Sequence, residues 1–251
     1  MTNNYDMKKI IFFILFLLFI LPQGYAQEKK RVQNRPYIDL RTIHYGILFG
    51  INMMDMELNN VGPQVLEDGS IANIVADVDN WSPGFTVGVL GELRLNNYFS
   101  LRVSPSMHFG QRHFKFLNLT EFDDVGRNVT QQQTIKTTYV TVPIDIKFSS
   151  QRYNNVRPYF LAGITPMMNI TGKKQDILEI NRSDFSLNIG MGCDFYLPFF
   201  KLIPELRFCY GLTNCINPEH AKDLTDINLH KYSNAVNKSR SKMIILTFYF
   251  E

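Results

Sequence analysis

The chain has 251 residues, 45% of them hydrophobic, and a formal net charge of +3, which suits one folded domain. A near-neutral charge without a basic run is not typical of nucleic-acid-binding proteins. The three cysteines are an odd number, which argues against a disulfide framework. Cys193 falls on an apolar strand face, and a bridge between Cys209 and Cys215 remains open at this stage.

Residues 1–26 have the parts of a secretory signal peptide, and Met7 is an alternative start. Lys8 and Lys9 precede the unbroken apolar run 10–21, and residues 22–26 place small side chains before a cleavage point at Gln27. An uncleaved anchor is the alternative, but the run is shorter than the roughly 20 residues a membrane helix needs. Residues 27–41 are polar, and we interpret them as a flexible periplasmic lead-in.

Residues 42–251 contain segments in which apolar and polar residues alternate. In the hairpin of residues 184–213, apolar side chains occupy every second position from Phe185 to Leu197, with Ser, Asn, Gly, Asp and Tyr between them. Such segments match tilted membrane-crossing strands, which need about 9–11 residues. Eight are predicted, over residues 43–53, 84–95, 98–116, 134–148, 157–170, 184–197, 201–213 and 239–250. The fold class is therefore all-β, an eight-stranded antiparallel transmembrane β-barrel of the outer membrane.

The connections alternate in length. Polar segments 55–80, 117–133, 171–182 and 214–238 are predicted loops, whereas Asn96-Asn97, residues 149–155 and residues 198–200 are shorter turns. Outer-membrane barrels place long loops outside the cell and short turns in the periplasm. Pro105 removes a donor from the ladder, so we expect a bulge there. Aromatic residues near the strand ends predict interfacial girdles: Phe99, Phe148, Phe195, Phe199 and Phe250 at the turns, and Phe85, Phe109, Phe185 and Tyr210 at the loops.

A soluble lipocalin-like barrel is the alternative fold, with its apolar face inward. The polar faces of these strands are rich in Gly, Ser, Thr and Asn rather than the Lys and Glu of a solvated surface. The apolar faces carry no charge through the strand centres, where a Lys or Arg in lipid would cost about 2–4 kcal/mol. The last strand ends in Phe248-Tyr249-Phe250, similar to the terminal signal of bacterial outer-membrane proteins. These features favour the membrane barrel.

The polar faces place charged residues inside the predicted barrel. An eight-stranded barrel is only wide enough to be filled by side chains, so buried charges should pair across strands. We expect Glu92 to pair with Arg102 and Asp194 with Arg207. A structural polar plug is favoured over a proton or ion path. The predicted inward charges are Glu92, Arg94, Arg102, Asp145, Lys147, Asp194, Glu205 and Arg207.

Evidence for catalysis is weak. His44 lies on an inner face, and His108 and His113 come near the loop that holds Asp123 and Asp124, so a rim cluster can be drawn. The sequence has no glycine-rich phosphate loop, no metal-ligand spacing and no Gly-Xaa-Ser-Xaa-Gly elbow. We therefore expect that the protein is not an enzyme and that it has no catalytic, cofactor-binding or metal-binding residues.

Three stretches together resemble a known family. They are residues 43–52 (IHYGILFGIN); residues 91–103 (GELRLNNYFSLRV) with Phe109-Gly110-Gln111-Arg112; and residues 142–148 (VPIDIKF) through residues 155–159 (NVRPY). In this order they are similar to the PorT family, small outer-membrane barrels of the type IX secretion system. The resemblance implies a role in protein export, often linked to gliding motility, with other secretion proteins as partners. It carries over no site residues.

The resemblance and the narrow barrel lead to one hypothesis and two alternatives. So narrow a barrel cannot pass a folded protein, so an accessory or assembly factor acting through loops and turns is expected. A general envelope barrel for adhesion or membrane integrity, working through the first and fourth loops, is the alternative. A small-solute pore is the third possibility. All three locate the protein in the lipid bilayer of the outer membrane.

Overall fold

The computed structural model describes residues 32–65, 69–80, 82–124, 126–171, 177–217, 220 and 227–251. The predicted signal peptide lies outside the described residues. Residues 33–251 form one compact unit. The elements are a 3₁₀ helix Ile38–Leu40, strands β1 Ile43–Asn60, β2 Gly62–Val65, β3 Ile71–Asn80, β4 Pro83–Arg94, β5 Phe99–Val103, β6 Ser106–Phe122, β7 Asn128–Thr141, β8 Ile144–Ser149, β9 Val156–Asn169, β10 Ser183–Tyr196, β11 Lys201–Gly211 and β12 Val236–Phe250, and helix α1 Ile227–Ser233.

All twelve strands belong to one antiparallel sheet in the order β10-β11-β12-β1-β4-β5-β8-β9-β7-β6-β3-β2. A further pairing of β9 with β10 closes the sheet into a barrel, and β4 also pairs with β6. The part of the chain that the structure describes is therefore all-β apart from two short helices. No described helix has the length and apolar character needed to cross a membrane.

The expected count of eight strands is not confirmed, for two physical reasons. Pro105 lies in the break between β5 and β6, and Pro143 lies in the break between β7 and β8, because proline cannot donate to a ladder. At Pro105 the structure therefore has a strand break rather than the expected bulge, because the pairs Gly91–Val103 and Gly88–Ser106 keep one register. In addition, β2 and β3 form a hairpin within residues 55–80, where a loop was expected.

The second predicted loop is also mostly strand. The ladder between β6 and β7 extends to Phe122 and Asn128, which leaves a short turn in place of the expected loop 117–133. In the fourth predicted loop, α1 is folded and β12 begins at Val236 rather than at residue 239. The barrel thus has a turn end, with Asn96-Asn97, residues 150–155 and residues 197–200, and a loop end formed by the longer strands.

In the part of the barrel next to the turn end, the outer and inner strand faces have the predicted orientation. Ile189 is 55% exposed and Leu206 is 48% exposed, whereas the alternating positions Asn188 and Arg207 are buried. Phe85 stacks on Phe109 with their ring centroids 4.5 Å apart, on the same outward side. The oily side chains therefore point away from the barrel axis, as predicted.

The described part of the lead-in, residues 32–41, contacts the turn end of the barrel. Asn34 donates its backbone N–H to the Asn155 side chain at 2.9 Å, and Arg35 donates to the Glu251 carbonyl at 3.0 Å. Asp39 accepts a hydrogen bond from the Tyr196 hydroxyl at 2.7 Å. These contacts hold the segment against the turn end of the barrel.

Candidate functional site: a charge network and a core that fill the barrel

Paired charged side chains fill the half of the barrel next to the turn end, and we call them the charge network. Its members point inward from alternate positions of β4, β5, β8, β10 and β11, and all are buried. Glycines of the same inward set leave room for them, since a Cβ on Gly163 would lie 2.4 Å from an Asp145 carboxylate oxygen. The network comprises Glu92, Arg102, Asp145, Lys147, Asp194, Lys201, Glu205 and Arg207, joined at the turn end by Glu251 and His44.

Arg102 is the centre of the charge network. Its Nη2 lies 2.7 Å from Glu92 Oε2, and its Nη1 lies 2.6 Å from Glu205 Oε2. The guanidinium also sits between two rings, 5.0 Å from the Tyr159 centroid and 5.1 Å from the Tyr249 centroid. Both Tyr hydroxyls donate to Glu205, at 2.6 and 2.9 Å. Planar stacking and bidentate donation are what arginine provides and lysine cannot.

A second branch of the network runs towards the turn end. Lys147 Nζ lies 3.0 Å from Asp194 Oδ2 and 3.4 Å from Glu92 Oε1. Lys201 pairs with Glu251 and lies 3.9 Å from Asp194. His44 Nδ1 lies 2.5 Å from the other Glu251 oxygen. Five carboxylates therefore face four Lys and Arg side chains plus one His, so the network is close to charge balance.

The third branch of the network contains Arg207, which lies 2.9 Å from Asp145 and 2.8 Å from Glu205. The predicted pair Glu92–Arg102 is confirmed, but the predicted pair Asp194–Arg207 is wrong. Arg207 is opposite Gly190, four residues along β10 from Asp194, a separation of roughly 13 Å along a strand. Asp194 instead pairs with Lys147 and Lys201, which lie at the same level along the barrel axis.

Three charged residues lie elsewhere than the sequence predicts. Arg94 was expected inside, but it lies at the turn end and donates to the Leu40 carbonyl and the Asn97 side chain. Lys201 and Glu251 were not predicted as inward charges, although both are buried in the network. Strand phase alone would have found Lys201, because it lies four residues before Glu205 on the same face.

Above the charge network, hydroxyls surround His108. Its Nδ1 lies 2.8 Å from the Thr86 hydroxyl and its Nε2 lies 3.0 Å from the Thr141 hydroxyl. The neighbouring cavity measures about 20 Å³, enough for about one water molecule. His108 is thus a buried wall residue. His113 bonds to Thr134 and Asp123 bonds to Arg127, so the structure does not bring the suggested rim cluster together.

A hydrophobic cluster, the loop-end core, closes the other end. Phe116 packs edge-on against Tyr232 of α1, with ring centroids 6.0 Å apart. Beneath the core, the buried Arg112 donates to Tyr139 at 3.2 Å and to Ser241 at 2.9 Å. Cys215 is a free thiol in this core, and Cys209 is free too, so the bridge left open above does not form. The core includes Met56, Ile74, Phe114, Phe116, Ile135, Leu178, Cys215, Ile216, Tyr232 and Val236.

The loop-end core arises from an inversion of the strand pattern. In β1, Met53 points outward, but the next outward residues are Asp55 and Glu57, while Met54 and Met56 point inward. In β6, Phe114 and Phe116 likewise point inward and Lys115 points outward. Apolar side chains therefore point outward between the turn end and the level of Met53, and they point inward from that level to the loop end. A switch of this kind marks where the surroundings change from lipid to water.

A closed β-sheet with an apolar outer belt and a polar, filled interior defines an outer-membrane β-barrel. Residues 25–217 match the family model described as the outer membrane protein beta-barrel domain, and the chain belongs to this family. The protein is therefore located in the outer membrane. A comparison with curated protein sequences gives no match.

Three solved bacterial proteins are among the structures similar to this chain. Neisserial surface protein A is 11% identical over 83% of this chain and 98% of its own, with a TM-score of 0.40. OprG from Pseudomonas aeruginosa is 10% identical over 82% and 91%, with a TM-score of 0.43. Ail of Yersinia pestis, solved with the heparin analogue sucrose octasulfate, is 15% identical over 82% and 96%, with a TM-score of 0.36.

Proposed function

We propose that this protein is a sealed outer-membrane barrel that acts as an accessory or assembly component of type IX protein secretion. It works through its two ends rather than as a conduit. The observation that carries this proposal is the filled interior, in which Arg102 reaches across the barrel to Glu205. The assignment to type IX secretion rests on the resemblance to the PorT family, and a link to gliding motility follows from the same resemblance.

In this proposal the barrel crosses the membrane eight times. β5 and β6 both pair with β4, and β7 and β8 both pair with β9, so each of these two pairs acts as one interrupted membrane-crossing strand. The β2–β3 hairpin lies beyond the apolar belt and does not add a membrane crossing. The turn end, with residues 32–41 of the lead-in, faces the periplasm, and the loop end faces the cell exterior, as in other barrels with short turns at one end.

The length of the apolar belt fits a membrane. On β1 the outward apolar residues run from Ile43 to Met53, ten steps along the strand, before Asp55 follows. At about 3.4 Å per residue and a tilt near 40°, these ten steps span about 25 Å. That height is typical of outer-membrane barrels, so the strands beyond Met53 project out of the lipid.

The projecting part offers a surface for partner proteins. Because the loop-end core supports it, it is a folded platform rather than a set of loose loops. Val65, Ile71 and Phe122 are each more than half exposed on it, and Val65 pairs directly with Ile71. Exposed apolar side chains outside the lipid belt are candidates for protein contacts.

The experiment compares a deletion strain complemented with the wild type, with Val65→Ser/Ile71→Ser, and with Thr130→Ser as a control. Thr130 is exposed on β7 and lies outside the apolar pair. The proposal predicts that deletion abolishes export of secreted and surface-anchored cargo. The double variant should reach the membrane but restore export poorly, and the control should restore it. Normal export in the deletion strain would contradict the secretion role.

The same platform supports a second candidate function, an envelope barrel for adhesion or membrane integrity. This function needs an exposed, rigid loop end but no secretion partner. It predicts normal export in the deletion strain, together with weaker attachment to surfaces or greater detergent sensitivity. The cargo assay and the attachment assay, run on the same strains, therefore separate the two functions.

A further inference from the structure

A groove lies on the outer wall of the barrel, where the apolar belt ends. It has a volume of about 490 Å³ and spans β11, β12 and β1. Its side towards the turn end is apolar and its side towards the loop end is polar. The groove therefore lies at the level where the acyl chains of the lipid meet the headgroups. The groove is lined by Met53, Phe208 and Ile244 below and by Asp55, Tyr210 and Lys242 above.

The polar rim of the groove is basic on β12. Lys238, Arg240 and Lys242 are alternate residues of this strand and point outward together. Tyr210 of β11 lies opposite Lys242. The acidic side chains on the facing part of β1 are Asp55 and Glu57, opposite Lys242 and Arg240. Of these charged residues, Asp55 and Lys242 line the groove itself, and Arg240 and Lys238 continue along β12 beyond it. The outward faces of β12 and β1 at this level thus carry three cations and two carboxylates, a net positive charge.

Arg240 is the rim cation that is available to a ligand. It is exposed and donates to the Tyr210 hydroxyl at 3.1 Å, with its guanidinium 5.7 Å from the Tyr210 ring centroid. The described residues place no carboxylate within 4 Å of it. Lys242, in contrast, lies 2.8 Å from Glu57 Oε2. The Arg240 fork is thus held in position by Tyr210 while its other donors stay open.

We propose that this groove binds a phosphorylated lipid of the leaflet around the loop end. The phosphate accepts hydrogen bonds from Arg240, because a guanidinium fork matches phosphate oxygens in geometry and charge. Lys242 keeps its ion pair with Glu57 and offers the phosphate one of its two other N–H donors. An acyl chain lies along Met53, Phe208 and Ile244. The surrounding leaflet already solvates acyl chains, so the selectivity of the site comes from the headgroup.

The test measures lipid binding by native mass spectrometry of delipidated protein in detergent micelles. The probes are phosphatidic acid, diacylglycerol with the same chains and inorganic phosphate. The wild type should bind phosphatidic acid and bind neither diacylglycerol nor inorganic phosphate with comparable affinity. Tight binding of diacylglycerol would show an unselective apolar groove, and equal binding of inorganic phosphate would show a plain anion site. Either result would overturn the proposal.

The variants are Arg240→Gln, Arg240→Gln/Lys242→Gln and the control Lys136→Gln. Lys136 is an exposed outward cation of β7, just beyond the belt and outside the groove. A cation near an anionic lipid surface contributes about 1 kcal/mol, or about fivefold in affinity. We expect about fivefold weaker phosphatidic acid binding for the single variant, about thirtyfold for the double variant, and less than twofold for the control.

The single variant keeps the test decisive if the double variant fails to fold, because Arg240 is exposed and its hydrogen bond to Tyr210 is exposed too. Folding of each variant is checked by its heat-modifiable gel mobility. Unchanged phosphatidic acid binding in a folded Arg240→Gln variant, or an equal loss in Lys136→Gln, would contradict the assignment.

Discussion

Arg102 and Glu205 form an ion pair across the barrel, with Arg102 Nη1 2.6 Å from Glu205 Oε2 and both side chains buried. They come from β5 and β11, which are separated by β12, β1 and β4 on one side and by β8, β9 and β10 on the other. The pair therefore spans the full width of the interior. A barrel bridged in this way at its centre has no open lumen at that height.

Replacing Arg102 should strongly destabilise the protein. Arg102→Met leaves Glu92 and Glu205 buried without their shared partner, which costs about 3–5 kcal/mol in the free energy of unfolding. The measurement is urea unfolding in lipid vesicles, followed by circular dichroism. Arg94→Met is the matched control, because Arg94 bonds only at the turn end, and we expect about 1 kcal/mol or less. Equal losses in the two variants would contradict the central role of Arg102.

A methyl group added at Gly163 should also destabilise the barrel. The new Cβ would lie 2.1 Å from the Ile144 carbonyl oxygen and 2.7 Å from Asp145 Cα, so the backbone has to move. We expect Gly163→Ala to cost at least about 1–3 kcal/mol by the same unfolding measurement. Gly91→Ala is the control, since its Cβ would have no neighbour nearer than 3.7 Å. A harmless Gly163→Ala would show that the β8–β9 contact is looser than described.

A charge on the lipid-facing belt should be costly only within the belt. Ile189 lies near the middle of β10 and is 55% exposed. Ile189→Lys should lower the free energy of unfolding in vesicles by about 2–4 kcal/mol. Val75→Lys, on the outward face of β3 beyond the belt, should change it by no more than about 0.5 kcal/mol. A tolerated Ile189→Lys would place this face in water.

Glu251, just after the end of β12, gives the turn end a pH dependence. Burial opposes its ionisation, but the hydrogen bond with His44 and the charge of Lys201 outweigh burial and lower the pKa of Glu251 from 4.5 to about 2. Because the folded-state pKa is the lower one, the ionised carboxylate stabilises the fold above pH 4.5, and this contribution is lost as the pH falls towards 2.

The Glu251→Gln variant tests this dependence. It should be less stable than the wild type at pH 6, and the difference should shrink between pH 4.5 and pH 2. Urea unfolding of both proteins over this range measures the difference directly, and the other carboxylates cancel in the comparison. A difference that stays constant with pH would show that Glu251 is not held as an ion by His44 and Lys201.

The sequence predicts the membrane part of this fold well because one face of each strand meets lipid. The alternation from Phe185 to Leu197 gives the correct orientation, and the pair Glu92–Arg102 follows from neighbouring strands. Contacts across the barrel, such as Arg102–Glu205, join residues far apart in the chain. They depend on strand tilt and stagger, which alternation alone does not specify.

The strand extensions at the loop end were not predicted, for a different reason. Beyond Met53 and Phe109 the alternation continues with its sign reversed, so that Met56 and Phe116 point inward. A search for outward apolar residues therefore ends a strand where the lipid ends. Searching for both phases would have extended β1, β6 and β7, although it would not have predicted that α1 supplies Tyr232 to the core.

The most direct test of a sealed barrel is the ionic conductance of the mature protein in planar lipid bilayers. The charge network and the loop-end core close the interior at two heights, so the folded protein should add no stable conductance steps to the bare membrane. Insertion is verified by heat-modifiable mobility of protein recovered from vesicles of the same lipid. Reproducible steps of constant size from the folded wild type would contradict the account.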